Sequence, residues 1–148
     1  MITLTAIVGA LCLAGAAGSL VWAGMVFVSC RRAAAWPSVR GEVVVKEVTR
    51  TGGTDTPYEA QLGYRYRVAD RLYVGSRKHM GPPVTWRGPA EAEWSMEGYR
   101  KGGVILIHYD PRDPRESVVD PRDLSGLMMP LLYAALLIGF GVWLIVAP

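Results

Sequence analysis

Every charged side chain of this 148-residue chain lies between Arg31 and Asp123, all 16 Lys and Arg and all 13 Asp and Glu. Outside that interval run two uncharged stretches, 29 residues from Ile2 to Cys30 and 21 from Leu127 to Ala147, built mostly of Ala, Leu, Val, Ile and Gly. About 20 such residues cross a hydrocarbon layer of roughly 30 Å. Both stretches therefore predict transmembrane helices, over 2–30 and 125–147, with a charged segment at 36–123 between them. Pro130 falls in the first turn of the second helix, where a missing N–H does little harm. The averages conceal this segregation: 51% hydrophobic, 20% charged and a net charge of +3 would suit a mildly basic soluble domain. They do exclude a disordered chain, a disulfide scaffold and a coiled coil.

A cleavable signal peptide competes for the first stretch, and Ala14-Gly15-Ala16 imitates its cleavage site. No Lys or Arg precedes the apolar core, however, and the core continues through Leu20-Val21-Trp22 to Val28. A retained helix is the expectation. Along it, Ala6, Ala10, Ala14 and Gly18 recur every four residues, and Ala135 and Gly139 repeat the spacing once in the second helix. Small residues let helix backbones approach closely in lipid, so these six predict a helix–helix contact within one chain or between two copies. Arg31 and Arg32, directly after the first helix, predict an anchor at the membrane interface, with Trp22 or Trp36 at head-group level. Arg31, Arg32, Arg40 and Lys46 follow the first helix and Arg112, Arg115 and Arg122 precede the second, while nothing basic flanks the outer ends. That asymmetry places the middle segment in the cytoplasm. Cys12 and Cys30 are 18 helical positions apart, about 27 Å, and cannot pair within one helix.

The middle segment reads as a small antiparallel β structure. Tyr58, Ala60, Leu62, Tyr64, Tyr66 and Val68 alternate with Glu59, Gln61, Arg65 and Arg67, a period of two that means one buried and one wet face. Ala69-Asp70-Arg71 then turns into a hairpin partner at 72–76. The Val-rich stretch 41–49 precedes them as a strand and ends in the turn-forming run 51–57. Val104 to Tyr109 reads as a central strand stopped by Asp110-Pro111, and Ser117 to Val119 as a short edge strand. Residues 90–99 suit a short helix closed by Gly102-Gly103. The fold class expected is thus an α+β membrane protein, two transmembrane helices flanking a domain of four or five strands and one short helix.

Several of these residues, taken in order, carry a resemblance. A membrane helix followed by Trp36-Pro37 and Gly41-Glu42-Val43, then Tyr64-Arg65-Tyr66, Leu72-Tyr73, and a stretch from Gly103 ending in Tyr109-Asp110-Pro111-Arg112-Asp113-Pro114 before a closing helix, resembles the Domain of Unknown Function 3592 family. The resemblance implies a bacterial membrane protein with a β-rich domain and no assigned activity, and it supplies no catalytic residues. Asp70-Arg71 departs from it, since the family usually has a glycine-containing turn there.

The residues themselves offer little chemistry. His108 and Asp110 share a strand face, with Asp113 close by, a set of metal-ligand types; an aspartate before proline is also what a strand-ending turn asks for, and that reading is favoured. Ser76, Ser95 and Ser117 lack a nucleophile elbow, and Gly102-Gly103 lacks the Lys-Ser/Thr of a phosphate loop. Glu93 and Glu97 share a helical face but read as solvated. Arg65 and Arg67, with Arg50, Arg71, Arg77 and Lys78 nearby, could form a basic patch facing anionic lipid, while the interleaved tyrosines point to the core rather than to nucleic acid. No catalytic residue, cofactor or metal is expected. The expected partners are membrane lipids and another membrane or peripheral protein, or a second copy, and the expected role is a non-catalytic binding or scaffold component of the bacterial inner membrane. A small immunity or envelope-stress factor is the alternative, and a membrane-bound enzyme a distant third.

Overall fold

The computed structural model describes residues 4–50, 52 and 56–146. In chain order its elements are α1 (Leu4–Ala34), β1 (Ser38–Arg50), β2 (Tyr58–Val68), β3 (Arg71–Gly75), β4 (Thr85–Trp86), α2 (Pro89–Trp94), β5 (Val104–Tyr109), β6 (Ser117–Val118) and α3 (Ser125–Val146). Two long apolar helices thus flank an antiparallel sheet, the expected α+β class. The core helix of a soluble protein would be mostly buried, whereas only 11% of the apolar window of α1 and 17% of that of α3 is covered by the rest of the protein. Leu11, Leu132 and Trp143 all stand exposed, as they must if the surrounding medium is itself apolar.

The first helix continues past the predicted end at Cys30 and carries Arg31 and Arg32 in its last turn. Charge does not stop a helix; the following Pro37 does, by disfavouring helical backbone at Trp36. The last turn closes with Ala35 N–H donating to Arg32 O and Trp36 N–H to Ala33 O.

The two helices pair along seams of seven-residue spacing. On α1 the buried positions include Gly9, Ala16, Ala23 and Cys30, and on α3 Leu127, Ala134 and Gly141. Seven residues turn about 20° short of two full turns, so such seams favour the gentle left-handed crossing of coiled coils. The backbones touch at Gly9 and Gly141, where a Cβ on Gly9 would lie 2.8 Å from the Ile145 side chain and 3.1 Å from the Gly141 carbonyl. Higher up, the Ser19 hydroxyl donates to the Pro130 carbonyl at 2.8 Å. The four-residue stripes behave differently from expectation within the chain. Ala10, Ala14 and Gly18 of α1 and Ala135 and Gly139 of α3 are exposed, with Ala6 half-buried at the margin. Beyond the helix's own adjacent backbone, no atom of the described residues comes within 4 Å of a Cβ built on Gly18 or Gly139. The reason is angular: each four-residue step advances about 40° past a full turn, so the stripe winds off the seam within three steps.

The sheet order is β3-β2-β1-β5-β6, all neighbours antiparallel, with β4 pairing separately to β2. The alternation in 58–68 and the run 104–109 become strands with the expected bounds, and β1 is longer at both ends than 41–49. A bulge at Val44 shifts the β1–β2 register between Val43 and Val45, which bends the long strand. The β4 pair was not foreseen, and the helix expected at 90–99 shortens to Pro89–Trp94, with Gly98 turning at φ +94. The sheet curls until its edges meet: Val119 N–H donates to Arg77 O and Asp120 N–H to Lys78 O, linking the chain beyond β6 to the chain beyond β3. Inside lie Val43, Leu62, Tyr64, Tyr66, Met96 and Ile107, all buried.

Tyr64 ties the closure together. Its hydroxyl donates to Arg77 O at 3.0 Å and lies 3.1 Å from Ser117 Oγ, so one β2 side chain touches both converging edges. Burial pushes its phenol up to about 12, so it remains a neutral donor. Gly75 makes room for it, since a Cβ there would fall 2.5 Å from the Tyr64 ring and 2.6 Å from Ser117 Oγ. Tyr64→Phe keeps the ring and removes the donor, and should cost about 1–2 kcal/mol in denaturant titration of the β domain.

The β2–β3 hairpin turns on Ala69 and Asp70, at φ +46 and +64. Two successive left-handed residues make the turn that suits a twisted hairpin, a geometry Asn-Gly adopts at least cost. Alanine in that region is strained by about 1–2 kcal/mol. Ala69→Asn with Asp70→Gly should therefore raise stability by about 1 kcal/mol, read as a higher denaturation midpoint with an unchanged slope.

Candidate functional site

A concavity arises from an interruption in the outer edge of β2. One side of β2 pairs with β1 along nearly its whole length. The other side pairs with β3 over 64–68 and with β4 over 58–59, leaving that edge of Ala60, Gln61, Leu62 and Gly63 with no strand beside it among the described residues. Residues on a strand alternate in the direction of their N–H and C=O groups, so two of these four aim a donor and an acceptor outward. Four residues of strand span about 13 Å.

The gap exists because the connection 76–84 leaves the sheet to reach the helices. Met80 packs against Ala23, Val26, Cys30 and Leu127. Gly81, at φ +104, abuts Gly126, and a Cβ on Gly126 would lie 3.0 Å from Met80 O. One excursion therefore clamps the domain to both helices and opens the edge of β2. The resulting cleft has a volume of about 590 Å³ and is lined by 60–63, by Ser76, Arg77, Lys78 and His79, by Pro83, Val84 and Trp86, and at its helix end by Ser125. That volume lies within the range of small-ligand sites, roughly 300–1,000 Å³.

Its electrostatics are mixed but lean positive. Arg77 pairs with Glu116 at 2.8 Å, both half-exposed, and is largely neutralised. Lys78 Nζ donates to Ser95 O and sits 6.0 Å from the Tyr99 ring centre, and it joins no ion pair among the described residues. Glu59 lies at the mouth remote from the helices. Asp123 secures the start of α3 by accepting the Ser125 N–H at 2.9 Å. Burial alone would raise its pKa, but the backbone and side-chain hydrogen bonds from Ser125 and the charges of His79 and Lys78 outweigh it and hold the carboxyl below the ordinary range.

The residues singled out from the sequence lie mostly elsewhere. Arg31 and Arg32 are exposed at the top of α1, Arg31 with its Cζ 5.9 Å from the Phe27 ring centre. The Ser19–Pro130 bond puts the first residue of α3 level with about residue 24 of α1, so Met25 to Ala34 rise about 15 Å beside the domain. Trp22 therefore lies near the level where α3 begins, while Arg31 and Arg32 stand about two turns beyond it. Trp36 is half-buried, its carbonyl 3.3 Å from His108 Nδ1. Asp110 and Asp113 each accept the N–H two residues on, from Arg112 and Arg115, as turn-forming aspartates do. The basic residues are dispersed: Arg65 pairs with Glu42 at 2.7 Å and Arg50 donates to the Tyr58 hydroxyl at 2.7 Å. Such exposed pairs contribute about 0–1 kcal/mol.

Sequence reasoning passed over Met80 and Trp86, placed Gln61 only on the wet face of β2 and put Lys78 only in a basic patch facing lipid. An apolar Met80 inside an otherwise polar, Gly-Pro-rich connection was the one available signal that this loop is anchored.

The family model described as "Domain of unknown function (DUF3592)" matches residues 39–124, more than half of the chain and all of the strands beyond the start of β1. No curated protein and no solved structure matches.

Proposed function

The chain belongs to the DUF3592 family, and from that premise we propose that it is a non-catalytic binding or scaffold component of the bacterial inner membrane. In this reading α1 and α3 each cross the bilayer, as an antiparallel pair, and the β domain stands at the cytoplasmic surface and presents the β2 cleft to a membrane or peripheral protein. One observation carries the reading: the 76–84 excursion that fixes the domain on the helix pair is the same one that leaves a sheet edge open. A domain kept only for its own stability would cover that edge, because an unpaired strand invites non-specific association. Clusters such as Arg31-Arg32 at the end of a membrane helix support the cytoplasmic side.

The test places a photo-crosslinking residue at Gln61, which is exposed in the cleft, and irradiates native membranes. A discrete protein adduct, lost when the reporter is moved to Glu97, which is exposed and does not line the cleft, is the expected result. Adducts to lipid alone, or the same adducts from both positions, would contradict the proposal.

A further inference from the structure

We propose that the cleft takes an extended acidic peptide segment of a partner protein by strand addition to β2 at Ala60–Gly63. This rests on the binding reading above and names the partner's chemistry. β3 and β4 both run antiparallel to β2 and bond to the same edge. A segment laid between them completes one antiparallel row, β3, then peptide, then β4, over the four residues left open. Main-chain pairing of that kind supplies affinity, and alternate side chains supply selectivity.

Charge chooses among extended segments. Arg77, Lys78 and His79 follow one another along one wall. Arg77 is already paired with Glu116 and Asp123 lies near Lys78 and His79, which leaves Lys78 as the cation of that wall that joins no ion pair among the described residues. Lys78 in particular is held by a carbonyl and an aromatic ring rather than by a carboxylate. An acidic side chain on the incoming strand would give Lys78 the ion pair that it lacks among the described residues, a complementarity that sets partner choice and encounter rate. Trp86 borders the other end and offers an apolar surface to a residue alternating with the acidic ones.

The experiment uses the full chain in lipid nanodiscs and follows amide exchange residue by residue. The probe is an acetylated hexapeptide, Gly-Glu-Val-Glu-Val-Gly, beside its Lys-for-Glu counterpart and two versions N-methylated on alternate residues. The expected result is slowing of exchange by about tenfold at two alternating amides within 60–63. The unmodified acidic peptide and one N-methylated version should give it, and the other N-methylated version and the lysine peptide should not. Lys78→Glu should lose the effect for the acidic peptide and gain it for the lysine peptide. Equal protection by both N-methylated peptides would overturn the proposal, as would protection that follows the anionic lipid content of the disc without peptide. If Gln61 crosslinks to a protein in native membranes while 60–63 remain unprotected by every peptide, strand addition is wrong and the binding role stands. If neither occurs, both fall.

Discussion

Gly41→Val is expected to unfold the β domain while leaving the helix pair assembled. Gly41 lies where three strands meet, opposite Tyr66 on β2 and Ile105 on β5. A Cβ there would run into the Ile107 side chain, the Arg65 carbonyl and Tyr66 Cβ. The first obstacle is a fully buried side chain of β5 and the second is backbone of β2, which cannot retreat without parting β1 from β2. Overpacking usually costs about 1–3 kcal/mol, and a site walled by backbone belongs at or above the upper end. A single domain with one short core has only about 5–15 kcal/mol in all, with small domains near the bottom. Thermal denaturation followed by near-ultraviolet dichroism in detergent checks it, with the midpoint falling below growth temperature or the transition vanishing. Gly24→Val, where nothing lies within 4 Å of the added carbon, is the matched control and should melt like the parent.

Met80→Asp should produce the second large effect, separation of the domain from the helices with the sheet intact. The Met80 side chain packs against Ala23, Val26, Cys30 and Leu127, an apolar surround for a carboxylate. Placing a charge in such a position costs about 2–3 kcal/mol even when it keeps part of its hydration. The clamp is one side chain and two glycine contacts, so the cost falls on the junction rather than on the sheet core. Trypsin should then cut after Lys78 at least ten times faster than in the parent, with the tyrosine environment unchanged. Met80→Leu, which keeps the apolar contact, should retain the parent's resistance. Cutting at the parental rate in the Asp variant would mean that the junction is held by other contacts.

What could be read from the sequence followed the strength of local periodicity. Strand β2 and strand β5 were legible to the residue because each is a period-two or continuously apolar run closed by turn residues. The terminal helices were legible because their length and lack of charge leave few alternatives. The bulge at Val44 left no trace, since a run of three valines suits either face. The helix seam was misassigned within the chain because several small-residue patterns coexist in α1, and only the crossing angle selects Gly9, Ala16 and Ala23 over Ala10, Ala14 and Gly18. The cleft was invisible for a different reason. It is the absence of a partner along four residues, created by β3 and β4 from elsewhere in the chain and by a loop whose anchor, Met80, is satisfied only by two helices about 50 residues away on either side. Local pattern cannot report an omission of that kind.

The central claim is that α1 and α3 cross a bilayer as an antiparallel pair with the β domain on one side. Impermeant thiol labelling tests it most directly, in a background with Cys12 and Cys30 replaced by alanine and single cysteines placed at Thr56, beside the β1–β2 connection, and at Thr3 and Pro148. Right-side-out and inside-out vesicles are labelled in parallel. The account predicts that Thr56→Cys reacts only in inside-out vesicles and that Thr3→Cys and Pro148→Cys react only in right-side-out ones. Labelling of all three from the same side would contradict it.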